Sequence, residues 1–141
     1  MSHENLENVR RLFQAVENFD VAGVLAAYDS EIVIRDAVSL PYGGTYHGLE
    51  GAKQHIEGAA QTWSVFKPSA VERELDAVFL DSGEYVIVLW HLKGRDVKNG
   101  SKLDSLTVSV YKLRNRKIVE SQMFYSDINA IVQFLEGQSS A

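Results

Sequence analysis

The chain has 141 residues, 45% of them hydrophobic and 23% charged, and a formal net charge of −5. Such a length and composition fit one globular domain with a sizeable core. The acidic balance speaks against a nucleic-acid surface, which needs a basic stripe, and the lack of cysteine excludes disulfides, thiolate nucleophiles and cysteine metal sites. No run approaches the ~18 apolar residues of a membrane span. The polar start MSHENLENVRR lacks the apolar centre of a secretory signal. These features predict a soluble, cytoplasmic protein with no membrane partner.

Leu6, Val9, Phe13 and Val16, with Leu12 beside them, recur on one helical face. Ser2 is placed to cap this helix, and Glu4 and Glu7 suit its positive end. Asn18, Phe19 and Asp20 break the pattern. Asp20 then caps a second, short helix carrying Val24, Leu25 and Tyr28, with Gly23 weakening it. Residues 32–38 read as a short β-branched strand that holds the charged Asp36 near its end. A loop with Pro41, Gly43 and Gly44 follows. Gly48 opens a third helix with the stripe Leu49, Ala52, Ile56, Ala59 and Trp63, closed by Pro68.

Everything from 69 to 126 reads as antiparallel sheet. In its first strand Val71, Leu75, Ala77 and Phe79 share one parity and Glu72, Glu74 and Asp76 the other, the pattern of one wet face. Residues 85–92 are apolar on both parities, as in a central strand covered on both faces. Asn99-Gly100 marks a hairpin, and strands follow over 103–113 and 117–126. Asp127 caps a terminal helix with Ile128, Ile131, Val132 and Leu135 inward, and 136–141 read as a frayed tail. Segregated helices and strands make an α+β fold. Long strands curl, so the expected architecture is a single domain over 1–141 in which a curled antiparallel sheet wraps the helices and encloses a cone-shaped cavity.

Three segments carry a resemblance. They are Phe19-Asp20-Val21-Ala22-Gly23-Val24-Leu25-Ala26-Ala27-Tyr28, then Val33-Ile34-Arg35-Asp36 followed by Gly44-Thr45-Tyr46-His47-Gly48, and Lys117-Ile118-Val119-Glu120 through Phe124-Tyr125-Ser126-Asp127. In this order and spacing they resemble the nuclear-transport-factor-2-like superfamily with its cystatin-like cone, whose members include SnoaL-like polyketide cyclases, ketosteroid isomerase and limonene epoxide hydrolase. The resemblance puts Asp36 at the place of the isomerase's catalytic base. The places of that enzyme's tyrosine and protonated aspartate fall near Leu12 and Val108, both apolar, so its oxyanion hole is missing. The epoxide hydrolase needs two aspartates bridged by an arginine, and the central strands offer no clear match. The SnoaL-like cyclases need little beyond one acid–base carboxylate in an apolar cavity.

The residues weigh as follows. Asp36 is the expected base, because desolvation at an apolar cavity disfavours the charged carboxylate; left unpaired there, it would tolerate Asn without loss of stability. Asp104 shares parity with Leu106, Val108 and Val110, taken as inward, and is a second catalytic candidate. Tyr125, on the parity of Met123, can orient a carbonyl by hydrogen bond. The resemblance implies that Trp90, with Val86 and Val88, faces the cavity, which turns His91 to a partner or to solvent; the opposite parity would make His91 a base. Tyr42, Tyr46 and His47 would line the mouth, and Trp63 and Phe66 the floor. His3 and His55 read as exposed, and the four histidines show no metal-ligand spacing. The expected function is therefore a cofactor-independent, metal-free isomerase, cyclase or dehydratase acting on a small hydrophobic carbonyl compound. The alternatives are a non-catalytic hydrophobic-ligand or dimerisation module and an epoxide-hydrolase-type enzyme. The apolar outer parities of the central strands predict a homodimer through the sheet.

Overall fold

The computed structural model describes residues 2–137, with side chains from Glu4 onward, so the Ser2 cap, the exposure of His3 and most of the frayed tail lie outside the described residues. The elements run α1 (Ser2–Glu17), α2 (Val21–Ala26), β1 (Tyr28–Asp36), β2 (Gly44–His47), α3 (Gly48–Trp63), a 3-10 turn (Ser64–Phe66), α4 (Ala70–Arg73), β3 (Val78–Ser82), β4 (Tyr85–Arg95), β5 (Lys102–Arg114), β6 (Lys117–Tyr125) and α5 (Ile128–Glu136). The six strands form one sheet in the order β2-β1-β6-β5-β4-β3. The pairs are antiparallel except β1 with β6, which run parallel. Among the described residues no helix is long and apolar enough to cross a membrane.

The helices form where capping and periodicity ask for them. Asp20 accepts the Gly23 amide to start α2, and Asp127 accepts the Ala130 amide to start α5. The stretch expected as a strand around Val71 is instead the short helix α4. Ser69 accepts the Glu72 amide as the N-cap and donates its own hydroxyl to the Glu72 carboxylate, and these local bonds outweigh the alternating pattern. Arg95 then grips Glu72 through two bonds of 2.7 and 3.1 Å. β2 occupies four residues expected as loop, and β1 begins at Tyr28, earlier than expected.

On β4 the inward parity holds Val86, Val88 and Trp90, as the resemblance implies, together with Leu92. On β5 the parity is the reverse of the expected one. Ser105, Thr107, Ser109 and Tyr111 are buried, while Leu106 is 44% exposed and Val108 and Val110 are half-buried on the outer side. The apolar pattern misled because this strand turns hydroxyls toward the interior. The core lies between α1, α3 and the concave face, with Phe13 edge-on to Phe79, Trp90 and Tyr111 at 5.4, 5.9 and 6.1 Å. A second cluster joins Trp63, Leu92, Ile131 and Phe134 under α5. Gly94 makes that closure fit: a Cβ there would stand 2.9 Å from the Phe134 ring and 3.1 Å from the Trp63 ring.

Candidate active site in the cone

Asp36 ends β1 and His55 sits mid-way along α3, one residue before the stripe position Ile56. The His55 Nε2 lies 2.8 Å from the Asp36 Oδ2, with side chains only 8% and 1% exposed. Tyr125, the last residue of β6, donates its hydroxyl to the Asp36 Oδ1, and the Ala37 amide donates to the same oxygen at 2.9 Å. A carboxylate has about four acceptor positions; three are filled, and one on Oδ2 stays free. The bond to Asp36 assigns the His55 proton to Nε2. Its Nδ1 is buried with no hydrogen-bond partner among the described residues, and the centre of the imidazole ring lies 5.8 and 5.2 Å from the ring centres of Tyr42 and Tyr46.

Asp36, His55 and Tyr125 border an apolar cavity inside the cone, about 830 Å³ of empty space with the solvent at its opening included. Tyr42, Trp63, Trp90 and Met123 line it as well. Tyr42 accepts the Trp63 Nε1–H at 2.6 Å, which leaves its own hydroxyl proton for a guest. Trp90 donates to Ser109 at 2.9 Å. Burial raises the Tyr42 and Tyr125 phenols well above their ordinary range, with the Asp36 charge adding to both, so they act as hydrogen-bond donors and not as bases. Lys67 also lines the cavity, 7% exposed.

Other expected site residues lie elsewhere. Asp104 is on the outer side of β5 with its side chain 62% exposed, bonded at 2.7 Å to His91, so it is not a cavity group. Val108 shares that outer side, between Leu89 and Phe124. Val88 is in the core, Phe66 packs on Trp63 and Phe134, and His47 is exposed at the head of α3. Tyr46 stands behind His55 and bonds the carbonyls of Tyr42 and Gly43. The sequence predicts an exposed His55, and it is 6% exposed. The signal was present, since Ala52, His55, Ile56 and Ala59 fall at the spacing of one buried face. The sequence predicts an unpaired Asp36, and the carboxylate has three donors. Among the described residues no group of three or more His, Asp or Glu is placed to hold a metal.

No curated protein is detectably similar to the chain. Solved structures are similar throughout. A nuclear-transport-factor-2-like protein of unknown function from Burkholderia pseudomallei is 24% identical, with a TM-score of 0.78 over 94% of this chain and 97% of that one. TerC, co-crystallised with polyporic acid, is 17% identical, with a TM-score of 0.78 over 94% and 98%. A protein from Catenulispora acidiphila with a ketosteroid-isomerase-like fold, in complex with trimethylamine, is 16% identical, with a TM-score of 0.68 over 93% and 92%. These likenesses establish the fold. The SnoaL-like domain matches residues 9–121, and the chain belongs to that family within the nuclear-transport-factor-2-like superfamily.

Proposed function

We propose that this protein is a cofactor-independent acid–base enzyme of the isomerase, cyclase or dehydratase type, acting on a small hydrophobic carbonyl compound held in the cone. The carrying observation is the Asp36–His55 pair at the wall of an apolar cavity, with one acceptor position of Asp36 still free. In the proposed step Asp36 takes a proton from the carbon next to the carbonyl. The C–H electron pair moves to the carbonyl oxygen, where the Tyr42 hydroxyl, polarised by the Trp63 N–H, donates to the forming enolate. Tyr42 would thus replace the donors missing at Leu12 and Val108. His55 and Tyr125 hold the carboxylate in line, and the proton returns to another carbon or leaves with a departing group. Two fold neighbours crystallised with small molecules, polyporic acid and trimethylamine, are in keeping with a pocket of this kind.

The test needs no knowledge of the natural substrate. Small cyclic ketones and enones incubated with the protein in D₂O should exchange their α-protons faster than in buffer, by NMR. Asp36→Asn and His55→Gln should lower that rate about 100-fold or more, and Asp104→Asn should leave it unchanged. Three donors already fixing Asp36 also suit the second reading, a pocket that binds an apolar ligand and catalyses nothing. Ligand binding without exchange in any substrate of the panel would favour it.

We also infer that a second copy of the chain covers the outer face of the sheet. Leu80, Ile87, Leu89, Val108, Val110 and Phe124 adjoin one another there through the strand register, with Leu80 and Phe124 46% and 52% exposed. Charges of both signs rim this face, Lys93 and Lys112 beside Asp104 and Glu120, the mixture a twofold contact with a second copy requires. Light scattering should give a dimer mass for the wild type and a monomer mass for Val108→Glu. A chain without cysteine suits a reducing cytoplasm.

A further inference from the structure

Lys67 stands just past the 3-10 turn, lines the cavity and is 7% exposed. Its Nζ lies 5.5 Å from the centre of the Trp63 ring, a cation–π contact that steadies the group without neutralising it. Among the described residues no carboxylate lies within ion-pair distance of it. Glu17 on α1 and Lys93 on β4 are the charges that act on it, with opposite signs. Glu17 is occupied, accepting the Leu75 amide at 2.9 Å, and Lys93 is paired with Asp76. Burial lowers Lys67 to about 8. That is still above neutral pH, so the group is an ammonium there and not a free amine nucleophile. Lys67 and the Asp36–His55 pair line the same cavity, Lys67 from just past the 3-10 turn and Asp36 from the end of β1.

A buried cation without a counter-ion is costly in an empty apolar cavity and is compensated when an anion enters. We propose that Lys67 is a specificity residue that binds the anionic end of the ligand, so that the natural guest is an apolar organic acid, ionised at the Lys67 end, with its carbonyl at Asp36 and Tyr42. This rests on the ligand-cavity reading above and narrows its substrate class. The anion would be a carboxylate or an ionised enol or phenol, all of which offer an oxygen for the ammonium to bond.

Benzoate and 2-naphthoate, each compared with its uncharged amide of the same shape, test this. Trp63 and Trp90 line the cavity, so their fluorescence reports occupancy at neutral pH. The wild type should bind each acid at least tenfold more tightly than its amide. Lys67→Met should abolish that preference by weakening the acids while the amides stay within threefold, and Lys67→Arg should retain it. Equal affinity for acid and amide in the wild type, which needs no variant, would overturn the role of Lys67, as would an unchanged preference in Lys67→Met; in both cases the cavity reading stands. If neither acids nor amides bind, the cavity reading falls and the Lys67 proposal with it.

Discussion

Two aspartate–histidine pairs in this molecule have nearly the same length, 2.8 Å for Asp36–His55 and 2.7 Å for Asp104–His91, and stand in opposite settings. The first has side chains 1% and 8% exposed inside the cone, and the second 62% and 40% exposed on the outer face. Water competes for every donor and acceptor of the outer pair, and salt screens it. No water replaces a lost partner of Asp36, because its carboxylate is packed against Tyr125, His55 and the Ala37 amide. Bond length therefore says little about what such a pair does. Burial and the number of groups that depend on it decide the energetic weight, and the adjoining cavity decides the chemistry.

Removing one partner of each pair should give the largest contrast. Asp36→Leu strands the His55 N–H, the Tyr125 hydroxyl and the Ala37 amide, and should cost about 3–5 kcal/mol in urea unfolding. Asp104→Leu should cost less than about 1 kcal/mol. Asp36→Asn falls between, at about 1–3 kcal/mol, because its amide N–H₂ points at groups that also donate. The sequence reading expects Asn to be tolerated on the premise of an unpaired carboxylate, and the three donors remove that premise. Equal losses for Asp36→Leu and Asp104→Leu would break the contrast.

The contrast also explains how far the sequence was legible. Both aspartates stand out in it as charges in strands of apolar residues, and periodicity places both on strands. What separates them is parity. On β4 both parities are apolar, so the pattern alone leaves Trp90 undecided, and the family resemblance is what pointed it into the cavity. On β5 the rule that apolar residues point inward inverts, because Ser105, Thr107 and Ser109 serve the interior and Leu106, Val108 and Val110 the outer face. Apart from β2 and α4, the element order followed from caps, turns and periods that act locally. His55 was missed because a lone polar residue beside a helical stripe reads as solvated until its partner is known, and Asp36 comes to it from 19 residues earlier in the chain. α4 was missed because four residues are too few for a helical period, although Ser69 and Glu72 carry its cap.

Lys67 extends the comparison to a buried charge with no carboxylate at ion-pair distance among the described residues. Its ammonium is held near 8, below the ordinary 10.5, chiefly by burial. Below pH 8 folded and unfolded chains both hold the proton, and the full penalty of burying the charge is present. Between about 8 and 10.5 the unfolded chain keeps the proton while the folded one releases it, so stability rises with pH. Lys67→Met should be more stable than wild type at pH 7 by up to roughly 3 kcal/mol, with the gap closing by pH 10.5. Glu17 and Lys93 face Lys67 in both proteins, so the difference between the two urea titrations isolates this group. A gap constant with pH would mean that Lys67 is solvated in the folded chain.

Tyr125→Phe sharpens the buried side. It deletes one of the three donors to Asp36 and leaves the ring in place, so it should cost about 1–2 kcal/mol and leave the His55 bond intact. If unfolding shows no loss, the hydroxyl contributes nothing to holding the carboxylate.

The smallest effect belongs to the outer pair. Its ends are one cross-strand diagonal of the antiparallel β4–β5 ladder, where His91 pairs with Leu106 and Asp104 with Lys93 in register, so the backbone brings the side chains together whether or not they attract. Little ordering entropy is then needed to form the bond, but little is gained, since both partners are well hydrated when apart. Asp104→Asn keeps the shape and an acceptor for His91 and removes the charge. It should change the unfolding free energy by less than about 0.5 kcal/mol at low salt, and 1 M NaCl, with a screening length of about 3 Å, should erase even that. The same salt should leave the Asp36→Asn deficit in place, because ions do not reach a carboxylate whose side chain is 1% exposed. A deficit of 2 kcal/mol or more in Asp104→Asn that scales with protein concentration would locate the pair inside the proposed dimer interface, where covering the outer face gives it the burial that now distinguishes Asp36–His55 alone.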